Sequence, residues 1–309
     1  MTNKRRNCRP KLLSHTRPVL VKKPTTLPSK ATRSLIRNHH TLQKQLCSAL
    51  AHNDAATAAS LQAQLSAGGG LGKYQEASIQ GQSRERGGDS SRVLMQWLDE
   101  LLPNNEKAKR VHGSKFRMLE IGALRTDNAC SGSGLFDVTR IDLHSQHPDI
   151  KAQDFMQRPV PNAEELSREG FDVVSLSLVV NYVGHCAGRG EMLKRVSSFL
   201  RTTSAVLDDE EAMAMPSLFL VLPAPCVNNS RYLDEKRLEG IMLSLGYKRV
   251  RRKMSAKLVY YLWRYDEALT VEGQRFGKEE IRKGGSRNNF AIVVMWYCVS
   301  KYPASEGVQ

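Results

Sequence analysis

The chain has 309 residues, with 46 Lys+Arg against 31 Asp+Glu and a formal net charge of +15. Residues 1–53 hold 12 of the basic side chains and no acidic one, so a near-neutral body carries a cationic arm. No apolar run nears the roughly 18 residues of a membrane span, no apolar stretch follows the basic start, and six scattered cysteines include no C-x-x-C pair. No membrane span, secretory signal, disulfide framework or zinc site is therefore expected, and a soluble intracellular protein with reduced thiols is.

In chain order, residues 1–30 mix Pro10, Pro18, Pro24 and Pro28 with Lys and Arg, and predict a disordered basic tail. Leu35, Leu42, Leu46, Leu50, Leu61 and Leu65 recur at helical steps over residues 31–67, as in two short helices broken near His52-Asn53-Asp54 and stopped at Gly68-Gly69-Gly70. Residues 81–91 are turn-like, and Val93 to Leu102 reads as a helix ending at Pro103. From Lys115 onward strands alternate with helices. Strands are expected at 116–121, 135–143, 150–155, 171–180 and 218–222, and helices at 190–200 and 233–245. The runs 257–265 and 290–299 are β-rich and aromatic and would form a terminal pair. That order argues for a doubly wound parallel sheet with an antiparallel edge.

The first strand ends in Leu119-Glu120-Ile121-Gly122, where an acid and a glycine let backbone approach a ligand. The second ends in Ile141-Asp142-Leu143, where Asp142 can accept both hydrogen bonds of a ribose diol with Leu143 beside it. The third ends in Asp154-Phe155, a carboxylate for an exocyclic adenine amine and a ring to cover the base. Gly122 is followed by Ala123-Leu124-Arg125, with no glycine until Gly132, so a pyrophosphate has no good seat. S-adenosylmethionine, an adenosine without phosphates, fits better than NAD or FAD. A turn glycine after a buried strand is the plain alternative.

The fourth strand delivers Asn181-Tyr182 to the same crevice: an amide for a base edge and a ring for a base face, unless the pair only caps the strand. Ser175 and Ser177 read as strand interior. Arg86, before Gly87-Gly88-Asp89-Ser90-Ser91, could clasp the carboxylate of the cofactor's methionine end, with Asp89 or Ser90 serving equally well as a helix cap. The His39-His40 pair, His144 and His147 lack supporting ligands, so no metal is expected.

The strings Gly70-Leu71-Gly72-Lys73-Tyr74-Gln75-Glu76-Ala77-Ser78 and Arg86-Gly87-Gly88-Asp89-Ser90-Ser91 resemble the family of fungal 25S rRNA adenine-N1 methyltransferases. So do Leu119-Glu120-Ile121-Gly122, Ile141-Asp142-Leu143, residues 175–183, Arg189-Gly190-Glu191-Met192-Leu193 and residues 218–223. The resemblance covers about Gly68 to Gly246. It implies a class I (Rossmann-like) methyltransferase of the α/β class with a seven-stranded sheet. The first 67 and last 45 or so residues lie outside the resemblance; the expected division is a helical extension over 31–67, a methyltransferase domain over 68–302 and a disordered C-terminus over 303–309. The resemblance further implies S-adenosylmethionine held at Gly122 and Asp142, and large-subunit rRNA or a pre-ribosomal particle as partner. With Asn181 and Tyr182 as the catalytic pair, the expected activity is methylation of adenine N1. The expected location is the nucleus and nucleolus, for which the basic arm speaks. One metazoan branch of the family looks like a cofactor sensor of the TOR kinase pathway. A non-catalytic S-adenosylmethionine sensor regulating a protein partner therefore stays as the alternative.

Overall fold

The computed structural model describes residues 28–81, 88–102, 104, 113–145, 147–201 and 214–296. The tail expected over 1–30 (bar its last three residues), the C-terminus expected over 303–309, and Arg86 lie outside them.

Three helices precede the sheet: α1 (Ser29–Ala51), α2 (Ala55–Ala67) and α3 (Gly70–Gly81). The break at 52–54 is real: Asn53 takes a left-handed φ of 54°, and the Asp54 carboxylate caps α2 by accepting from the Thr57 amide at 3.0 Å. Leu42 and Leu46 of α1 pack with Ala58 and Leu61 of α2. The glycines at 68–70 stop α2 as expected, and Gly70 also starts α3, a helix that the leucine spacing did not predict. Helix α4 (Ser91–Leu101) follows.

The body is one seven-stranded sheet of β1 (Phe116–Ile121), β2 (Phe136–Asp142), β3 (Lys151–Ala152), β4 (Val173–Ser177), β5 (Ser217–Pro223), β6 (Leu245–Met254) and β7 (Leu258–Thr270), in the order β3-β2-β1-β4-β5-β7-β6. The first five strands are parallel, and β7 runs antiparallel to β5 and to β6. Between them stand the short α5 (Ala129–Gly132), α6 (Ala163–Glu169), α7 (Cys186–Ser197), α8 (Pro225–Asn228) and α9 (Glu235–Ser244). One face packs α7, α9 and residues 290–294 on Leu119, Val174, Leu220 and Trp263. The other packs α4 on Phe116, Phe219 and Leu262, with Trp97 edge-on to Phe219. Strand order reverses between β1 and β4, which opens a crevice at their carboxyl ends.

The expected terminal pair needs correcting. Residues 290–296 form no strand beyond an isolated bridge between Phe276 and Val294, and 297–299 lie outside the described residues. The antiparallel partner of β7 is β6, whose Lys-Arg-Val-Arg-Arg-Lys sequence hides an edge strand among cations.

Residues 290–294 instead lie extended across α7. A side chain at Gly190 would collide with the Val293 carbonyl. The buried Arg189 guanidinium donates to the carbonyls of Ala291 at 2.7 Å, Val183 at 3.0 Å and Gly184 at 3.4 Å, over the Phe290 ring at 4.4 Å. It is thus the clamp that fixes the segment following Asn181-Tyr182. Arg189→Met keeps bulk but donates nothing, and strands carbonyls from water. The unfolding free energy in urea is expected to fall by about 3 kcal/mol; a loss under about 1 kcal/mol would remove the clamp role.

Candidate functional site

Gly122 ends β1 with φ at +75°, a conformation that suits glycine. A Cβ there would sit 2.6 Å from Val179 Cγ2, so the turn after β1 and the turn after β4 touch through the missing side chain. On the β4 side Leu178 takes a left-handed φ of 60°. That strained residue swings the chain into a 3-10 turn at Val180–Tyr182, which presents Asn181 at the crevice.

Beside Gly122 lies a cleft of about 490 Å³ lined by Asp89, Ser90, Glu120, Asn128 and Ser177, among others. Asn128 caps α5 by accepting from the Ser131 amide, and its amide nitrogen reaches both Glu120 oxygens at 2.8 and 2.9 Å. Arg140 stands 3.9 Å from the same carboxylate. Asp89 ties the start of α4 to α5 through the amides of Ser91 and Ala129. Ser177, read from sequence as strand interior, meets Ser90 at 2.8 Å in the cleft wall, while Ser175 is buried as expected.

Burial pushes the Glu120 carboxyl up to about 7, with Asp89 adding to the rise, against the Asn128 hydrogen bond and Arg140, which lower it. A raised carboxyl holds its proton longer when folded than when unfolded. Its contribution to stability is therefore full below its ordinary 4.5 and lost as pH climbs through about 7. Glu120→Gln removes that loss. It is expected to raise stability at pH 8 by about 3 kcal/mol over wild type and to change little at pH 4. Melting curves at the two pH values check this; equal shifts at both would refute it.

The other sequence candidates divide. Asp142 ends β2, and its Oδ1 accepts from the His144 amide at 2.9 Å. Leu143 next to it is 60% exposed. Asp154 caps a 3-10 turn through the Met156 amide. Phe155 is a correction: it is buried in the core, 5.2 Å from Phe199 and beneath Arg195, and cannot cover an adenine. The third strand is two residues long, so the chain turns inward one residue after Asp154.

Tyr182 is a partial correction, for its ring is not an open platform. His40 of α1 packs on it at 4.1 Å, and Tyr74 of α3 stands edge-on at 5.8 Å. His39 stacks on Tyr74 at 4.5 Å. Burial, with His39 and Lys44 nearby, lowers the His40 imidazole to about 4, so it is neutral at physiological pH. The Tyr74 phenol is raised by burial and by Tyr182, with Asp142 contributing. Next to it the buried Gln75 donates to the His144 carbonyl at 2.5 Å, just past Asp142. The N-terminal helices thus roof the crevice at both Asp142 and Tyr182. The Tyr74-Gln75 string pointed to this family without revealing that place.

The Asn181 Oδ1 is buried and has no hydrogen-bond partner among the described residues. Among those residues no three His, Cys, Asp or Glu are grouped to hold a metal ion, and no helix is long and apolar enough to cross a membrane.

Comparison with known proteins covers these same positions. The family model described as 25S rRNA (adenine(2142)-N(1))-methyltransferase, Bmt2, matches residues 59–292. The 25S rRNA adenine-N(1) methyltransferase of Schizosaccharomyces pombe is 40% identical over 224 residues, spanning 72% of this chain and 76% of that protein. The 25S rRNA (adenine(2142)-N(1))-methyltransferase of Saccharomyces cerevisiae is 36% identical over 228 residues, spanning 73% of this chain and 60% of that protein. Among solved structures, the 16S rRNA methylase RmtB overlays with a TM-score of 0.40 at 11% identity, over 76% of this chain and 98% of that one. The family match runs from within α2 to the segment held by Arg189, and takes in Tyr74, Gly122, Asp142 and Asn181. By extent and identity, the chain belongs to the family of 25S rRNA adenine-N1 methyltransferases.

Proposed function

We propose that the chain transfers a methyl group from S-adenosylmethionine to N1 of an adenine in large-subunit rRNA, in the nucleolus. The observation that carries this is the buried, unpartnered Asn181 Oδ1 at the crevice whose other wall is Gly122. The residues fit the cofactor: Gly122 gives close approach, Asp142 stands where a ribose diol would bind, and the cleft at Glu120, Asn128 and Ser177 has room for the methionine end. When bound, S-adenosylmethionine supplies a methyl already activated by its sulfonium.

Adenine N1 has an in-plane lone pair, so transfer needs orientation and exclusion of water more than a base. The N1–methyl bond forms as the sulfur–methyl bond breaks, and the adenine ring gains positive charge. Asn181 Oδ1 accepts from the exocyclic amine of the base and so turns the neighbouring N1 inward. Tyr182, backed by His40, forms the apolar wall for the base. The neutral imidazole puts no cation beside a ring that is becoming positive. The target edge is the pairing edge, so the adenine must be unpaired or extruded first.

Incubation with labelled S-adenosylmethionine and unmodified large-subunit rRNA, then digestion, tests the proposal. Label in 1-methyladenosine is expected. Label in another nucleoside overturns the assigned atom. Tight cofactor binding without transfer to any RNA overturns the enzyme in favour of the sensor.

A further inference from the structure

The outermost strand carries a row of cations that the crevice does not use. Register with β7 sorts them onto two faces. Arg249 and Arg252 stand opposite Trp263 and Tyr261 and face α9, where Glu239 and Glu235 pair with them at 3.2 and 2.8 Å. Lys248, Arg251 and Lys253 stand opposite Arg264, Leu262 and Tyr260 on the other face. The irregularity between Arg249 and Arg251 turns Val250 into the core beneath them and keeps Arg251 on that face.

Among the described residues no carboxylate makes an ion pair with Lys248, Arg251 or Lys253, and Asp266 on the same ribbon is occupied by Arg264 at 3.7 Å. Lys248 and Lys253 are exposed. The row also has a direction. Leu258 pairs with Pro223, and the Ala224 amide donates to the Lys257 carbonyl at 2.8 Å. The β6–β7 turn therefore sits at the carboxyl end of β5, on the same edge of the sheet as Gly122 and Asn181. From Lys248 to Lys253 the strand covers roughly 17 Å at about 3.3 Å per residue.

We propose that this face of β6 is a phosphate track that binds the sugar–phosphate backbone of large-subunit rRNA and leads it toward the crevice. The proposal rests on the rRNA methyltransferase reading and assigns the surface that receives the RNA. Three uncompensated cations on one strand face match a polyanion, and each phosphate they neutralise releases counterions. The same row would also discourage edge-to-edge pairing, a rival role for identical charges.

The test compares the full chain with Lys248→Gln/Arg251→Gln/Lys253→Gln, using unmodified, transcribed large-subunit rRNA as probe between 50 and 200 mM salt. At about 0.7 per phosphate contact on single-stranded RNA, the log–log salt slope is expected to become shallower by about two. Cofactor affinity and melting temperature should stay unchanged, and KM for RNA should rise with kcat kept. An unchanged slope overturns the track; if the variant then dimerises by light scattering, the row guards the edge instead. Should the triple variant misfold, exposed Lys253→Glu carries the test, with a slope loss of about one expected and no loss refuting the track. The two proposals fail separately. RNA binding with the expected slope change but no methyl transfer sinks the enzyme and leaves the track, whereas methyl transfer with equal slopes sinks the track alone.

Discussion

Asp142→Ala is expected to raise the dissociation constant for S-adenosylmethionine at least about 100-fold. The side chain stands at the carboxyl end of β2, one strand from Gly122, and the proposed function gives it the ribose. Two charge-assisted hydrogen bonds at about 1.5–3 kcal/mol each exceed the roughly 2.8 kcal/mol that 100-fold represents. The carboxylate has a second duty, since Oδ1 accepts from the His144 amide while Gln75 holds the His144 carbonyl. Alanine removes ligand bonds and loop cap together. Asp142→Asn keeps an oxygen for His144 and offers the ribose a neutral amide, so it should weaken binding only about ten-fold. Calorimetry on both variants, with melting curves in the absence of cofactor, separates the two duties. Unchanged affinity in the alanine variant would remove Asp142 from the cofactor site.

The central strands were legible because β1, β4 and β5 are covered on both faces and must read as apolar runs. From β1 the acid-glycine end at Gly122 follows directly, whereas Asp142 ends β2, a strand buried only in part. β6 was not legible, because an edge strand needs an apolar face only where it meets β7. Its bulge breaks even that alternation, and its five cations resemble a loop. Residues 290–294 failed in the opposite sense. They are buried and β-rich, yet their hydrogen bonds run to Cys186, Phe276 and Arg189 rather than to a strand of the sheet. Burial of an apolar run does not say what satisfies its backbone.

Within the site, Phe155 was misread because a strand-end aromatic looks the same whether it faces the crevice or the core. The single turn after Asp154 decides it. His40 and Tyr74 had no local signal of function. They lie 142 and 108 positions before Tyr182 in sequence, and only the packing of α1 and α3 on the crevice brings the rings together. Glu120 and Asn128 form the opposite case: a buried acid raised to about 7 costs stability at neutral pH, and such a conflict is expected where a site serves a ligand.

Asn181 presents the same conflict in neutral form, and its replacement distinguishes enzyme from scaffold. A buried amide oxygen without a donor costs about 1–3 kcal/mol, so Asn181→Ala should leave the melting temperature unchanged or higher. The side chain is separated from Asp142 by β1, so cofactor affinity should stay within about two-fold. Turnover should fall about 100-fold, because a base displaced by about 1 Å loses its line of attack. Tyr182→Phe, which keeps the ring under His40 and removes only the hydroxyl facing Tyr74, should retain most of the activity. Tyr182→Ala, which leaves His40 unsupported, should lose stacking worth roughly 1–3 kcal/mol. Single-turnover rates beside thermal shifts with cofactor resolve these cases. If Asn181→Ala instead lowered stability and cofactor binding together with no separate effect on rate, the residue would be a cap for β4, and the base would have to be oriented by another group of the crevice.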